Sequence, residues 1–375
     1  MKNATGTTRR TLLCAALGFG LAPAWARAAE QKVRALHQQA LKVARPTQAV
    51  LQAVTSAGGQ RLVAAGERGL VIFSDDAGQS WIQAAVPVSV TLTALCFADD
   101  RRGWAVGNMG VVLATEDGGA SWRTCLDGLA AAHLAFMEAK AAGKTELLDA
   151  ARQLVEEGGD KPLLGVSYSA DGTLYVVGAY GLAFSSKDGG KRWTSLMHRW
   201  PNPDGLSYYG MVERHGQTLL YGEQGLLLGA QGSAAEFAAL ESPSSGSLFG
   251  AQVLRDGALL LLGLRGKLLR SEAPGSAWRV VQTPVDAALM AGTQLSDERA
   301  VLVGAAGQLL LSEDGGNRFQ PVTLRQRFPF TGVTQSPDGA LLLTGMRGLV
   351  RLAPSELSSA VQPFSTSSMV RSLAA

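Results

Sequence analysis

A four-residue Gly-x-x-Gly turn recurs seven times along this chain, and its spacing constrains the fold more than any other feature. The turns begin at Gly66, Gly107, Gly178, Gly222, Gly263, Gly304 and Gly345. Successive starts differ by 41, 71, 44, 41, 41 and 41, so the interval of 71 is one repeat plus an insertion of about 30 residues. Short apolar runs lie on both sides of each turn. Four short strands in about 40 residues are typical of a propeller blade.

A second regularity concerns side-chain size. A small residue lies 13 positions before six of the turns and 12 positions before the other. These residues are Ala53, Ala94, Gly165, Gly210, Gly250, Ala291 and Gly332. Seven innermost strands that converge on a narrow channel need small side chains. The sequence therefore predicts an all-β fold, a seven-bladed β-propeller of four-stranded antiparallel blades over residues 48–359, with a short helical insertion between blades two and three.

A second motif, Ser/Thr-x-Asp-x-Gly-x-x-Trp, follows the turn and is the Asp box of BNR repeats. It occurs in blades one, two, three and six as Ser74, Asp76, Gly78, Trp81; Thr115, Asp117, Gly119, Trp122; Ser186, Asp188, Gly190, Trp193; and Ser312, Asp314, Gly316, Phe319. Blade five keeps Ser271, Gly275 and Trp278 but has Ala273 in place of the aspartate, and blades four and seven lack the motif. We interpret the boxes as structural. The carboxylate should accept backbone N–H groups, the glycine take positive φ, and the aromatic pack between blades.

The sequence resembles a known family at these residues. Asp boxes preceded by Gly103–Gly107 and the turn 108–110 resemble the photosystem II stability/assembly factor-like propellers, and the resemblance covers about residues 48–352. Segments 63–69 and 202–205 look like its non-photosynthetic bacterial branch. The resemblance implies a propeller that binds proteins and uses no cofactor. Founding members assist assembly of a membrane complex, and bacterial relatives often accompany RND-type exporters in the envelope.

Residues 1–28 are typical of a cleaved export signal. A basic start is followed by a short apolar core and by Ala26-Arg27-Ala28, the small-x-small pattern of a signal peptidase site. The pair Arg9-Arg10 resembles a twin-arginine signal, and an ordinary secretory signal is the alternative. Residues 29–47 then form an N-terminal segment. We expect a periplasmic protein without a membrane span after cleavage, and a monomer.

The net charge of +3 belongs largely to this leader. The chain has 34 basic and 31 acidic residues, and four of the basic ones lie in residues 1–28, where there is no acid. The mature chain therefore has 30 basic and 31 acidic residues, a net charge of −1, which argues against nucleic acid as a partner. Cys96 and Cys125 remain, on an inner and an outer strand of one blade. They are too far apart for a disulfide, which predicts two buried free thiols.

The irregular parts of the repeat should share one face of the propeller. Antiparallel strands place the turns between second and third strands beside the blade-to-blade crossovers, and we call this side the crossover face. The other side, with the boxes, is the Asp-box face. Residues on the crossover face form our hypothetical partner site: Arg68, Arg265 and Arg347 in the turns, Tyr180 in the same turn position, and Trp200, Arg325 and Arg327 in crossovers. Solvated turn residues without a partner are the alternative for the arginines. Trp200 with Tyr208 and Tyr209 is either an aromatic contact site or core.

The insertion, at about residues 127–160, should be helical. Leu134, Met137, Leu147, Leu148, Leu154 and Val155 have mostly three- and four-residue spacings, with breaks at Gly143 and Gly158-Gly159. It is either a docking hairpin or a cap that buries its apolar face. The last segment, 360–375, could supply the outer strand of blade seven from residues 360–364, and the N-terminal segment is the alternative source.

Asp boxes also occur in sialidases and other glycosidases, so a hydrolase is an alternative function. Such enzymes need paired carboxylates, and none stands out at channel positions. His37, His133, His198 and His215 are scattered without ligand spacing, so no metal site is expected. A non-enzymatic scaffold for an envelope membrane-protein complex is the preferred prediction. A propeller that binds a small lipid or sugar is a third alternative.

Overall fold

The computed structural model describes residues 34–143, 145–197, 199–232, 236–273 and 276–359. The export signal, His198, Gly275 and the tail from residue 360 lie outside this described part. Within it, the strands form seven separate antiparallel sheets, one for each repeat. The predicted seven-bladed β-propeller is confirmed. None of the described helices is long and apolar enough to cross a membrane.

The strands follow each other in chain order from the inside of each blade outwards. Blades one to three contain β1 Leu51–Gly58, β2 Arg61–Gly66, β3 Val71–Ser74, β4 Ile82–Gln83; β5 Leu92–Phe97, β6 Gly103–Gly107, β7 Val112–Thr115, β8 Arg123–Leu126; β9 Leu163–Tyr168, β10 Leu174–Gly178, β11 Ala183–Ser186, β12 Thr194–Ser195. Blades four and five contain β13 Tyr208–Arg214, β14 Gln217–Gly222, β15 Leu227–Gln231, β16 Ala238–Ala239; β17 Leu248–Val253, β18 Leu259–Gly263, β19 Leu268–Ser271, β20 Arg279–Val281. Blades six and seven contain β21 Leu289–Gln294, β22 Ala300–Gly304, β23 Leu309–Ser312, β24 Gln320–Val322; β25 Phe330–Gln335, β26 Leu341–Gly345, β27 Gly348–Leu352.

The Gly-x-x-Gly turns are fixed to the crossovers by backbone hydrogen bonds. In every blade, the residue after the first turn glycine donates its N–H to the carbonyl just before the first strand, as Glu67 does to Val50 at 3.1 Å. The chain segments approach so closely that a Cβ on Gly66 would lie 2.0 Å from the Val50 carbonyl oxygen. The glycines are therefore required by contact distance, and the turns and crossovers share one face.

The ring of small residues surrounds the channel at the distances that convergence imposes. A Cβ on Gly165 would lie 2.9 Å from the Cα of Gly210, and one on Gly250 would lie 2.6 Å from the Met290 carbonyl oxygen. Each inner strand also has an irregular register beside its small residue, as between Leu51 and Ala53. Neighbouring inner strands therefore pack with their backbones in close contact, which leaves no room for bulky side chains at these positions.

Neighbouring blades are joined by what we call interblade bonds. In each, a side chain of one blade donates to a backbone carbonyl in the Asp-box loop of the next. The donors and acceptors are Arg61 Nη1 to Asp117 O at 2.8 Å, Trp104 Nε1 to Gly189 O at 3.2 Å, Arg270 Nε to Gly315 O at 3.2 Å, and Ser336 Oγ to Ala77 O at 2.7 Å. The last of these joins blade seven to blade one. Chemically different side chains thus make the same connection at four interfaces.

Blade seven departs from the four-stranded plan, since it has three strands in the described residues. The described N-terminal segment adds no strand to blade seven: Ala40 donates its N–H to Val86 O in the crossover between blades one and two, and Thr47, at the end of the segment, lies against the Gly348 turn. The other source named for the closing strand, residues 360–364, is outside the described part. A short helix, α3 (Pro354–Ser359), follows β27. Its Leu357 is 2% exposed and packs between blades six and seven, where other blades place the Asp-box aromatic.

The insertion forms two helices, α1 (Gly128–Ala142) and α2 (Thr145–Glu156), separated at Gly143, which has a φ of 66°. Asp127 begins α1 by accepting the N–H of Ala130 at 2.9 Å. The buried stripe of α1 consists of Ala131, Ala132, Ala135 and Ala139, which pack with blades two and three. The sequence pattern had placed Met137 and Val155 on the apolar face, and this was wrong, because both are exposed. Alanines allow the closer approach of helix to sheet.

Candidate protein-docking face

The third turn position projects a side chain from the crossover face in a strained backbone conformation. Arg68, Met109, Tyr180, Gln224 and Arg265 have φ between 52° and 59°. This left-handed region favours glycine, because a Cβ crowds the following carbonyl oxygen. Blades six and seven differ, since there the third residue, Ala306 or Arg347, does not have positive φ and only the glycine after it does. Five blades thus keep a side chain where glycine would relieve strain, which draws attention to what these side chains do.

The arginines predicted for the partner site are exposed and lack ion pairs. Arg68, Arg265, Arg325, Arg327 and Arg347 are all exposed on the crossover face. None of them lies within ion-pair distance of a described carboxylate, although Arg327 Nε donates to the Gly307 carbonyl at 3.4 Å. Four of the seven blades, five, six, seven and one, contribute to this set. They are neighbours in the ring, so the structure brings these arginines together on one half of the face.

Arginines on the Asp-box face behave differently, because most of them are neutralised by carboxylates. The pairs are Arg61 with Asp75, Arg102 with Asp99, Arg192 with Asp188, Arg270 with Asp256, Arg299 with Asp297 and Arg351 with Asp338. On the basic half of the crossover face, Glu67 is held by the Val50 N–H at 3.4 Å. Asp286 is exposed there. Positive charge on this half is therefore in excess and available to solvent.

Two exposed apolar residues beside these arginines were missed by the sequence reasoning. Leu264 precedes Arg265 and is 43% exposed, and Met346 precedes Arg347 and is 50% exposed. Both occupy the second position of the Gly-x-x-Gly turn, and a comparison of this position across the seven blades identifies them. The turns of blades five and seven therefore each present an arginine together with an apolar side chain, a combination that suits protein contacts.

Tyr180 marks the other half of the face. It is 62% exposed, and the Lys161 ammonium lies 4.8 Å from the centre of its ring, a cation–π distance. Lys161 in turn contacts Glu157 at 2.7 Å at the end of the insertion. Leu129 and Met137, which are exposed on α1, belong to the same side. The insertion thus packs as a cap and still leaves apolar side chains on its outer surface.

Trp200 does not belong to the exposed surface, and its assignment as a contact residue is corrected. It is 4% exposed and packs edge-on against Tyr208 and Phe237, with ring centres 5.8 Å and 4.8 Å away. The crossover folds inward over blade four because removing the apolar surface of the indole ring from water is favourable. Tyr208 is buried too, whereas Tyr209 is half-buried and packs at a tilt against Phe249 on an inner strand, with ring centres 5.1 Å apart.

The box residues have a repeated hydrogen-bond geometry on the opposite face. Asp76 accepts the N–H groups of Gln79 and Ser80 at 3.0 and 2.8 Å, and Ser74 Oγ donates to it at 2.7 Å. Hydrogen bonds from Ser80 lower the pKa of Asp76 to about 2. Trp81 closes the loop by donating its Nε1–H to Gly78 O at 3.2 Å. Asp117, Asp188 and Asp314 repeat this pattern. The hydrogen-bonding capacity of these carboxylates is therefore used within their own loops.

The two described thiols lie in blade two, and neither is part of a metal-binding cluster among the described residues. Cys96 and Cys125 are free, on β5 and β8, and burial raises the pKa of Cys96 to about 12. Both thiols are free as predicted but half-buried rather than buried, and Cys125 Sγ accepts a hydrogen bond from Arg123 Nη1 at 3.0 Å. Across the described ranges, no three side chains of His, Cys, Asp or Glu come close enough to hold a metal ion.

Comparison with known proteins establishes the fold of this chain. The sequence matches no protein-family model, and no curated protein matches it. Among solved structures, YCF48 bound to D1 peptide is 19% identical, with a TM-score of 0.60 over 84% of this chain and 98% of that chain. YCF48 from Cyanidioschyzon merolae is 15% identical, with a TM-score of 0.61 over 85% and 99%. The chain is a β-propeller, and photosystem II assembly factors are among the proteins that share this fold.

Propellers of other activities match equally well in shape. The WD40 propeller of Doa1 is 12% identical, with a TM-score of 0.60 over 86% of this chain and 98% of that chain. A catalytically inactive virginiamycin B lyase from Staphylococcus aureus with quinupristin is 10% identical, with a TM-score of 0.63 over 84% and 98%. At such identities the likeness concerns the fold alone. Function has to be argued from the faces of this molecule.

Proposed function

We propose that the protein is a non-enzymatic scaffold of the photosystem II assembly factor-like kind, from its non-photosynthetic bacterial branch. It works in the periplasm and binds a protein of an envelope membrane complex through its crossover face. The observation that carries this proposal is the set of five exposed arginines without ion pairs, on adjacent blades of one face. An unpaired, solvent-exposed guanidinium group keeps its capacity to bind a carboxylate in two-pronged geometry.

The chemistry of this half-face defines the partner. Arg265 and Arg347 each have an exposed apolar neighbour, so the matching surface carries carboxylates interspersed with apolar side chains. The mature chain is close to neutral, and the arginine set is therefore a local feature that steers an acidic surface into place. YCF48 has the same fold and was solved with a D1 peptide bound, which supports a polypeptide as the ligand of such a propeller. An RND-type exporter is our candidate complex, on the resemblance described above.

A charge-reversal experiment tests the proposal. The variant Arg68→Glu/Arg265→Glu/Arg347→Glu should fold normally, because these side chains are exposed and unpaired, but should lose capture of its complex from solubilised envelope membranes. Raising the salt concentration should weaken capture by the unmodified protein, since exposed charges are screened beyond about 10 Å at roughly 0.1 M.

The matched control reverses three exposed charges on the Asp-box face, Lys187→Glu/Lys191→Glu/Arg318→Glu. These residues are exposed and lie within no ion pair in the described part of the chain. The control should retain capture. Equal losses from both triple variants, or capture that does not change with the first, would show that the wrong face was chosen. Hydrolysis of a sialoside or an aryl glycoside would support the hydrolase alternative instead.

A further inference from the structure

One buried arginine on the Asp-box face lacks the carboxylate that its counterparts have. Arg214, at the end of β13, is 5% exposed. Its Nη1 donates to the carbonyl oxygens of Ser271 at 2.9 Å and Gly257 at 3.3 Å, and its Nε has no hydrogen-bond partner in the described structure. No described carboxylate lies within ion-pair distance, and burial lowers the pKa of the guanidinium. A buried cation without a counter-charge is costly unless something compensates it.

The other arginines at interfaces between blades show what is missing. Three of them also reach the Asp-box loop of the following blade, and each is paired with at least one carboxylate. The pairs are Arg61 with Asp75, Arg270 with Asp256 and Glu272, and Arg351 with Asp338. Arg214 also reaches the box of blade five, at the carbonyl of its first residue, Ser271, but has no such carboxylate partner in the described structure. Its role in joining blades four and five therefore does not account for its whole hydrogen-bonding capacity.

The box that Arg214 touches is the one that has lost its aspartate. In the four intact boxes the first-position hydroxyl donates to the aspartate carboxylate at 2.7 to 2.9 Å. In blade five, Ala273 has no carboxylate, and Ser271 Oγ donates instead to the carbonyls of Ala273 and Ser276 at 3.1 and 3.3 Å. Arg214 Nη2 lies 3.5 Å from the same hydroxyl. The place where a carboxylate belongs in this motif is thus next to the unpaired guanidinium.

A cavity opens at this point. It has a volume of about 400 Å³ and is lined by Arg214 and Ser271 together with Leu219, Leu240 and Trp278. Glu241 and Gln217 also line it, and Glu241 is exposed and makes no ion pair with Arg214. The cavity therefore combines one buried cation with an apolar wall that includes an indole ring. Its volume suits a ligand of amino-acid or dipeptide size rather than a folded partner.

We propose that this cavity is a binding site for a small organic carboxylate. The carboxylate group takes the position of the absent aspartate, accepts hydrogen bonds from Arg214 and Ser271, and also meets the N–H of Ala277, whose equivalents in the intact boxes donate to the aspartate. The apolar part of the ligand lies against Leu240 and Trp278. The site is on the Asp-box face and is independent of the crossover face, so neither proposal depends on the other.

Isothermal titration calorimetry with phenylacetate, hexanoate and N-acetylphenylalanine tests the site, with phenylacetamide as the uncharged counterpart of the first. At least one carboxylate should bind with a Kd on the order of 1 mM or tighter, and the amide should bind about tenfold more weakly or not at all. Arg214→Gln should reduce carboxylate affinity by about tenfold or more. The variant also removes an interblade contact, so its folding is checked by thermal unfolding.

A second variant keeps the test decisive if Arg214→Gln fails to fold. Ala273→Asp restores the box and should both raise the melting temperature and abolish carboxylate binding, because the new side chain occupies the ligand's position. Ala305→Asp adds the same charge at an exposed site of blade six and should change neither. If none of the three carboxylates binds, or if Ala273→Asp binds them as well as the unmodified protein, the proposal is wrong.

Discussion

Replacing the strained turn arginines by glycine should stabilise the propeller while weakening its docking face. Arg68 and Arg265 have φ of 52° and 55°. Relief of the left-handed conformation is worth about 1 to 2 kcal/mol for each residue. The greater freedom of glycine in the unfolded chain costs about 0.5 to 1 kcal/mol. We therefore expect each single variant to gain about 0.5 to 1 kcal/mol, and the double variant about 1 to 2 kcal/mol, because the two sites lie in different blades.

Arg347 provides the control inside the same chain. Its turn places the positive φ on Gly348, at 97°, so Arg347 itself is unstrained. Arg347→Gly should therefore lower the free energy of unfolding by about 0.5 to 1 kcal/mol, the opposite sign from Arg68→Gly and Arg265→Gly. Urea unfolding followed by tryptophan fluorescence measures all three. Stability losses in all three variants would refute the strain argument, and unchanged partner capture by them would refute the reason given for keeping arginine.

Three further outcomes follow from the geometry. Asp117→Ala and Asp314→Ala should each lower the free energy of unfolding by about 1 to 2 kcal/mol, since backbone N–H groups lose their acceptor, and chelators should leave the melting temperature unchanged; a large chelator effect would reveal a metal site. Asp76 has a folded-state pKa of about 2. Because this pKa is lowered, the ionised carboxylate contributes its full stability above about pH 4 and loses it as the pH falls toward 2. Asp76→Asn should therefore make the melting temperature less dependent on pH between about pH 4 and 2. Trp200→Ala should cost about 3 to 5 kcal/mol in chemical unfolding, whereas Tyr180→Ala, at an exposed site, should change stability by less than about 0.5 kcal/mol; equal effects would contradict their different burial.

The period of the repeat made the fold predictable. Closure of a ring of seven blades requires close backbone approach at the same positions of every repeat. Only glycine or another small residue fits these positions, so they are recognisable in the sequence. Gly66 and its equivalents are needed where backbones approach within contact distance, and the small ring at Gly165 and Gly250 is needed where the inner strands converge. Such requirements are local in sequence, so spacing alone reveals them.

Features that depend on neighbouring blades were not predictable. Trp200 lies in a crossover just before Pro201 and Pro203, and nothing in the neighbouring sequence distinguishes a buried indole ring from an exposed one. Leu357 takes over the place of a box aromatic from a helix, so no motif survives to mark it. The donors of the interblade bonds are arginine, tryptophan or serine, depending on the blade. A search for repeats finds positions with the same residue type and misses different residue types that make the same hydrogen bond. Arg214 was overlooked for that reason.

The bonds at Ala77 give the order of synthesis a structural consequence. Its carbonyl accepts from Ser336 and Arg351, which lie 259 and 274 residues later in the chain. A ribosome completes blade one long before either donor exists, so the first box loop stays unpartnered through most of translation. Contacts of such long sequence separation form late and slowly. A polypeptide that stops before Ser336 has neither donor, and the first box loop therefore gains both partners only in chains that extend through Arg351.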